Sequence, residues 1–292
     1  MSNKLVISHS WRKTFYGHLA LARVSNSPTV VSDTLAGAAL AGSLWPDARI
    51  GLVAIAMVLF YSAGMYLNDL LDYAIDCYER PERPLPAGML SRTTATLVVI
   101  ALFALGSSLL WLIGPVPFCC GLILIALIVC YNRWHKQNPL SPFLMALCRL
   151  MVYVIAFLSC APRTLFPLLI PGELLLCYVA ALTMLAKAEH KPGIVQLGIV
   201  IMLFLPAFYF VFQMSIFGFC LVLLFTTWVS YSLYLAYRSL LGQIGRTVGQ
   251  LIAGIALLDG LVLAAAGSIA GVILALASFG LTLFLQRYVK GT

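Results

Sequence analysis

The sequence predicts an all-α polytopic membrane protein, one bundle of nine to ten transmembrane helices. Three observations predict it. The chain is 62% hydrophobic and 10% charged, where an ordinary globular domain is roughly a quarter charged. Apolar runs of about 20 residues recur from residue 27 to residue 287, most of them long enough to cross a bilayer as a helix. The basic residues fall almost entirely on one side of those runs. No polar face remains to cover a soluble core, and the absence of dyad alternation argues against a β-barrel.

The elements follow in order. Residues 1–26 are mixed and polar, show no signal-peptide pattern, and read as a cytoplasmic N-terminal segment forming a short surface helix. Residues 27–292 read as one transmembrane domain, with no linker or low-complexity stretch. Ten candidate spans lie near 27–45, 50–73, 92–114, 117–131, 141–159, 167–187, 194–214, 216–237, 247–266 and 269–286. Placing the N-terminus in the cytoplasm puts fifteen basic residues in cytoplasmic segments, from Lys4 and Arg12 to Arg287 and Lys290. Only Arg49 and Arg163 fall on the other side, and Arg149 lies within a span. That bias fixes the orientation and favours an even count of spans. Nine is the alternative, because Gly267 and Gly271 could also mark a kink in the last forty residues. The expected location is therefore an integral membrane protein of a bacterial inner (plasma) membrane. Topology accounts for the net charge of +8, and no nucleic-acid partner is expected. The eight cysteines lie mostly in spans, form no Cys-x-x-Cys, and read as packing residues.

The chain has ten carboxylates, and five of them fall between residues 69 and 82. Asp69, Asp72 and Asp76 are spaced i, i+3, i+7, which aligns them on one stripe of a helix. Asn68 adds a neutral oxygen beside them. Hard oxygen ligands on one face suit Mg²⁺, which takes one or two carboxylates and completes its shell with water and phosphate. The stripe could merely end the helix at the water interface. However, carboxylates at a helix C-terminus oppose the macrodipole, so a purely structural end would favour basic residues. The next segment supplies Arg80 and Arg83, donors suited to phosphate oxygens. Pro81, Pro84 and Pro86 stop the helix and stiffen the loop.

Asn68-Asp69-x-x-Asp72-x-x-x-Asp76, followed by Arg80-Pro81-x-Arg83-Pro84-Leu85-Pro86-x-Gly88, resembles the first aspartate-rich motif of the UbiA family of intramembrane prenyltransferases. The resemblance is specific over about 21 consecutive residues. Weaker likenesses extend it: Arg23-Val24-Ser25-Asn26 before the first span, and Tyr131 with Lys136 between spans four and five. The resemblance implies a UbiA-type bundle with Mg²⁺ as cofactor. Asn68, Asp69 and Asp72 would hold the metal, with Asp76 nearby. A prenyl diphosphate donor would bind at Asn26, Asn68, Arg80, Arg83, Tyr131 and Lys136. Ionisation of the donor would yield an allylic cation captured by an acceptor that the sequence does not identify.

The chain departs from the family at the second acidic motif. The corresponding stretch carries Lys187, Glu189, His190 and Lys191, with no aspartate. Lys187 and Lys191 could carry part of the charge of a second metal, with Lys187 catalytic and Glu189 at the substrate, or be ordinary positive-inside residues. Charges within spans are costly and face the bundle interior. Asp33 and Arg149 are candidates for substrate binding there; Arg149 could pair with Asp33, with the aspartate stripe or with diphosphate. Asp259 reads as structural. Tyr61, Tyr66, Tyr73 and Tyr153 could shield a carbocation. The leading expectation is a Mg²⁺-dependent prenyltransferase in the lipid bilayer. The alternatives are a terpene cyclase of the same type and a non-catalytic lipid-handling or transport protein.

Overall fold

In the computed structural model, residues 2–136, 138–187, 197–212, 216–238 and 244–289 are described. Among them the chain forms eleven α-helices: α1 (Ser2–Leu21), α2 (Ser27–Leu40), α3 (Ala48–Glu79), α4 (Arg92–Ile113), α5 (Pro115–Trp134), α6 (Ser141–Ser159), α7 (Phe166–Lys187), α8 (Leu197–Val211), α9 (Ile216–Arg238), α10 (Ile244–Ala265) and α11 (Ile269–Leu285). Seven of these, α3 to α7 with α9 and α10, are long and apolar enough to cross a membrane. The protein is thus an integral-membrane all-α bundle.

Local chemistry sets the helix ends. The Asp47 carboxylate accepts from the Ile50 amide at 2.9 Å and starts α3. Ser91 does the same for the Thr94 amide and α4, at 3.0 Å. Both are N-cap contacts that satisfy amides with no intrahelical partner. Prolines stand in the first turns of α2, α5 and α6, where the missing N–H costs nothing.

The observed elements differ from the expected spans at several ends. The run at 27–45 yields only the 14 residues of α2, about 21 Å of helix against a hydrocarbon core of about 30 Å. Gly42, at φ 94, turns the chain out of the helix before Pro46. The runs at 194–214 and 269–286 give helices of 15 and 17 residues. Gly267, at φ 80, makes a turn between α10 and α11, so the last stretch is two helices and not one kinked helix. The second run is longer than expected: α3 continues through Asp76 to Glu79, and the Arg-Pro segment then ends it.

Short as it is, α2 lies at the centre, packed on α3, α6, α10 and α11. Gly37 permits this. A Cβ there would stand 2.6 Å from the Tyr153 carbonyl oxygen and 2.9 Å from its Cα, so α2 and α6 meet backbone to backbone. α10 is buried along nearly its whole length, whereas α4 and α9 are peripheral. All eight cysteines are free.

Candidate functional site

α3 carries the acidic stripe. The 22 residues from Ala48 to Asp69 measure roughly 32 Å at 1.5 Å per residue, so the stripe begins where the hydrocarbon core ends. Asp69, Asp72 and Asp76 are nonetheless buried, at 6%, 9% and 4% exposure. The loop after α3 and the segment before α2 cover them. Leu85 and Leu90 of the loop pack with Leu21 of α1, Tyr66 of α3 and Ala95 and Val99 of α4. Gly88, at φ 69, and bonds such as Met89 N–H to the Pro84 carbonyl, 2.9 Å, fold the loop back on itself. This returns Arg83 to the stripe, 2.7 Å from Asp76 and 3.5 Å from Asp69.

Every aspartate of the stripe has a cation. Arg23 stands 3.6 Å from Asp69 and donates to the Asn68 side-chain oxygen at 3.4 Å. Lys136 lies 2.7 Å from Asp72, and His135 3.7 Å from the same carboxylate. Asn68 donates to the Asn132 side-chain oxygen at 3.1 Å. Arg23 sits at φ 44, a left-handed conformation that is costly for a side chain with a Cβ and recurs at functional sites.

Beside the stripe opens a cavity of about 360 Å³. Its wall is apolar along α3, α5, α6, α7 and α10, with Met57, Phe60, Leu124, Val152 and Ile255 among the lining residues. Its charged lining residues are four arginines: Arg23, Arg80, Arg83 and Arg149. Asn26, Tyr61, Tyr131, Asn132 and Thr183 add polar groups. The shape suits a ligand with an anionic head and an oily body.

Arg149 belongs to a second polar cluster deeper in the bundle. It forms an ion pair with Asp33 through Nε and donates to the Thr29 hydroxyl through Nη2. Asp259 of α10 accepts from the Ser32 hydroxyl and, at 2.6 Å, from the Tyr153 hydroxyl. Asp33 and Asp259 are both fully buried. Of the partners open to Arg149 in the sequence, the structure selects Asp33. Asp33 itself stands behind Arg149 and is not among the cavity-lining residues.

The structure therefore brings together Asn26, Asn68, Asp69, Asp72, Asp76, Arg80, Arg83, Tyr131 and Lys136 at one end of the bundle, with Arg149 further in. It does not bring Lys187 to the aspartates: that side chain is exposed and donates to the Asn138 carbonyl at 3.0 Å. Glu189 and Lys191 lie outside the described residues. The expected site omitted Arg23, Asn132 and His135. Arg23 stood within the quoted Arg/Asn segment, and Asn132 and His135 lie between Tyr131 and Lys136, so the signal was proximity to residues already singled out.

The donor set fits a hard divalent cation in its chemistry. Three buried carboxylates and an amide oxygen fall within about two helical turns. Among the described residues no group of three His, Cys, Asp or Glu side chains is arranged to hold a metal ion; Mg²⁺ needs only one or two carboxylates and fills its shell with phosphate and water. The cations now on the carboxylates hold the charge that a metal would otherwise offset.

Fold and site define a membrane-embedded helical protein with an acidic stripe at the arginine-ringed mouth of an apolar cavity. The chain belongs to the UbiA prenyltransferase family, whose model matches residues 30–192, more than half of its length. It is 31% identical over 123 residues to the digeranylgeranylglyceryl phosphate synthase of Methanothermobacter thermautotrophicus, covering 41% of this chain and 42% of that one. To the synthase of the same name from Thermococcus kodakarensis it is 39% identical over 93 residues, 32% of each chain. These matches thus span less than half the length of either relative. In three dimensions it resembles a solved digeranylgeranylglyceryl phosphate synthase with a TM-score of 0.60 at 18% identity, over 89% of this chain and 99% of the other. A UbiA homologue from Archaeoglobus fulgidus bound to GPP and Mg²⁺ aligns with a TM-score of 0.53 at 15% identity, over 93% and 99%. At these identities the structural likeness concerns the fold.

Proposed function

We propose that this chain is a Mg²⁺-dependent intramembrane prenyltransferase that moves an isoprenoid group from a prenyl diphosphate to an acceptor. The observation that carries this reading is the buried stripe Asp69–Asp72–Asp76 at the mouth of an oily cavity ringed by arginines. Family membership and the A. fulgidus homologue with GPP and Mg²⁺ support it.

Asn68, Asp69 and Asp72, with Asp76 beside them, would hold the metal, which when bound neutralises diphosphate charge. Arg80, with Arg23 and Arg83 released from the carboxylates, donates to the diphosphate oxygens. Lys136, on Asp72, is close enough to do the same. Asn26 and Tyr131 line the path of the donor head, and the apolar wall takes the isoprenoid chain. The bond from C1 to the diphosphate oxygen then breaks, and its electron pair stays on the leaving diphosphate. Donors aimed at that developing charge in a dry site act where electrostatic stabilisation is strongest. The acceptor forms the new bond to C1 and gives up its proton. The contact of Lys187 with Asn138 makes its role a tie between α7 and the loop before α6, while Glu189 and Lys191 lie outside the described residues.

The full bundle is read as nine to ten spans over residues 27–292, with α8 and α11 added to the seven helices long and apolar enough to cross and α2 a central, partly inserted element. Residues 1–26 form a cytoplasmic segment, and the site opens to the cytoplasm of a plasma membrane. The bias of basic residues supports this orientation. The relatives named above are archaeal, and the same bias serves a bacterial or an archaeal membrane.

The test is diphosphate release from geranylgeranyl diphosphate by the purified chain. Release that needs Mg²⁺ and disappears in Asp69→Ala and Asp72→Ala supports the reading. Release that survives both substitutions refutes it.

A further inference from the structure

We propose that Gln286 is a positioning residue for donor binding: it turns the Asn26 side chain so that N–H groups, and not the amide oxygen, meet the head of the prenyl diphosphate. The inference rests on the prenyl-transfer reading and adds to its site a residue from the far end of the chain.

Asn26 closes the short turn Val24–Asn26 and borders the cavity beside Arg23 and Tyr61. By position it is the N-cap of α2, where an asparagine oxygen ordinarily accepts from the first amides of its own helix. It makes no such bond. Pro28 removes one of those amides, and the oxygen accepts instead from Gln286, 260 residues away in sequence, at 3.0 Å. Gln286 directly follows α11, and its Nε2 also donates to the Gly249 carbonyl of α10 at 3.0 Å.

Those two bonds settle which way each amide faces. A backbone carbonyl only accepts, so the Gln286 atom against Gly249 is the nitrogen. The same nitrogen meets Asn26, so the Asn26 atom facing it is the oxygen. The Asn26 nitrogen is thereby aimed the other way, within hydrogen-bonding reach of Tyr61 on the cavity wall. An amide turned over has nearly the same shape and would set its oxygen there. Diphosphate oxygens accept hydrogen bonds, and the charged groups at this end of the cavity, Arg23, Arg80 and Arg83, only donate. One amide orientation joins those donors and the other repels the ligand. Gln286 selects the first, and it also ties α10 and α11 to the turn that carries Arg23.

The experiment titrates the full-length protein, with Mg²⁺ present, with geranylgeranyl thiolodiphosphate, which does not ionise, and reads affinity calorimetrically in alkaline buffer. Gln286→Glu keeps the shape but only accepts, so Asn26 turns over and presents its oxygen to the diphosphate. Affinity should fall about tenfold or more, the scale of a hydrogen bond to a charged group. Gln286→Leu leaves the amide unguided and should cost less, about threefold. With Asn26→Ala in place, either change at Gln286 should alter affinity by less than about twofold, because the effect runs through that side chain. A merely structural role predicts no excess loss for the glutamate over the leucine, and equal losses with and without the Asn26 amide. Wild-type affinity in both Gln286 variants overturns the proposal, as does a loss that Asn26→Ala leaves undiminished. If Gln286→Glu fails to fold, Gln286→Leu with and without Asn26→Ala still decides it. A wild-type chain that does not bind the analogue overturns this proposal together with the prenyl-transfer reading. Wild-type binding that the Gln286 variants leave unchanged overturns this proposal alone.

Discussion

Removing Arg149 should damage the bundle more than removing the carboxylate it pairs with. Arg149→Met leaves Asp33 and Asp259 together, both at 0% exposure, with no cation between them. Breaking a buried pair by deleting one partner costs about 3–5 kcal/mol. Asp33→Asn leaves Arg149, whose side chain is 12% exposed, beside Asp259. The cavity opening hydrates it in part and Asp259 offsets the rest, so a loss of about 1–2 kcal/mol is expected, near that of an unsatisfied buried polar group. The double variant Asp33→Asn with Arg149→Met retains one carboxylate that two hydroxyls already satisfy. Its loss should be smaller than the sum of the two single losses, a coupling of at least about 1 kcal/mol. Thermal unfolding of the detergent-solubilised protein, followed by tryptophan fluorescence, checks the order. At roughly 2 °C per kcal/mol for a large chain, Arg149→Met should lower the midpoint by about 6 °C or more. Equal losses for the two single variants, or strict additivity in the double, would refute the account of a cluster governed by its one cation.

Other expectations concern the stripe and the packing around it. Arg83→Gln removes the contacts at 2.7 and 3.5 Å to Asp76 and Asp69, and should raise the KM for the prenyl diphosphate about tenfold or more, as loss of a charge-assisted contact does. Lys187→Ala removes a bond to a backbone carbonyl and should change diphosphate release by less than about threefold, since an exposed contact of this kind is worth under 1 kcal/mol; a hundredfold loss would instead make Lys187 catalytic. Gly37→Ala forces a Cβ to 2.6 Å from the Tyr153 carbonyl and should destabilise the bundle by about 1–3 kcal/mol, whereas Gly51→Ala, with nothing near the added carbon, should not. Both are read from the unfolding midpoint.

Much of the site was legible because it depends on short-range periodicity. The spacing of 69, 72 and 76 fixes one helical face, and the three prolines after it fix where the helix stops. The loop's return onto that face was not legible. It depends on Leu85 and Leu90 finding Leu21 and Tyr66, contacts between segments far apart in sequence. Arg23 and Asn132 escaped for the same reason. The pairing of Arg149 with Asp33 was one of three options in the sequence, and the choice was made by Gly37, which lets α2 and α6 close to backbone contact. Hydropathy also misjudged span length. It follows apolar runs and registers neither the turn at Gly42 that shortens α2 nor the continued helix in the charged end of α3.

The uninterrupted run of α3 has a consequence for where chemistry happens in the membrane. From the Asp47 cap to Asp69 there is no proline or bulge, so the depth of the stripe carboxylates is set by a rigid rod footed at the other end of the bundle. An inserted residue anywhere along that rod would lift the carboxylates by about 1.5 Å and swing them through about 100°, away from Arg83 and Lys136. Bilayer thickness and the geometry of the stripe are thereby gauged by one helix, and lipids that thin or thicken the membrane should tune where the head of the proposed donor meets the carboxylates.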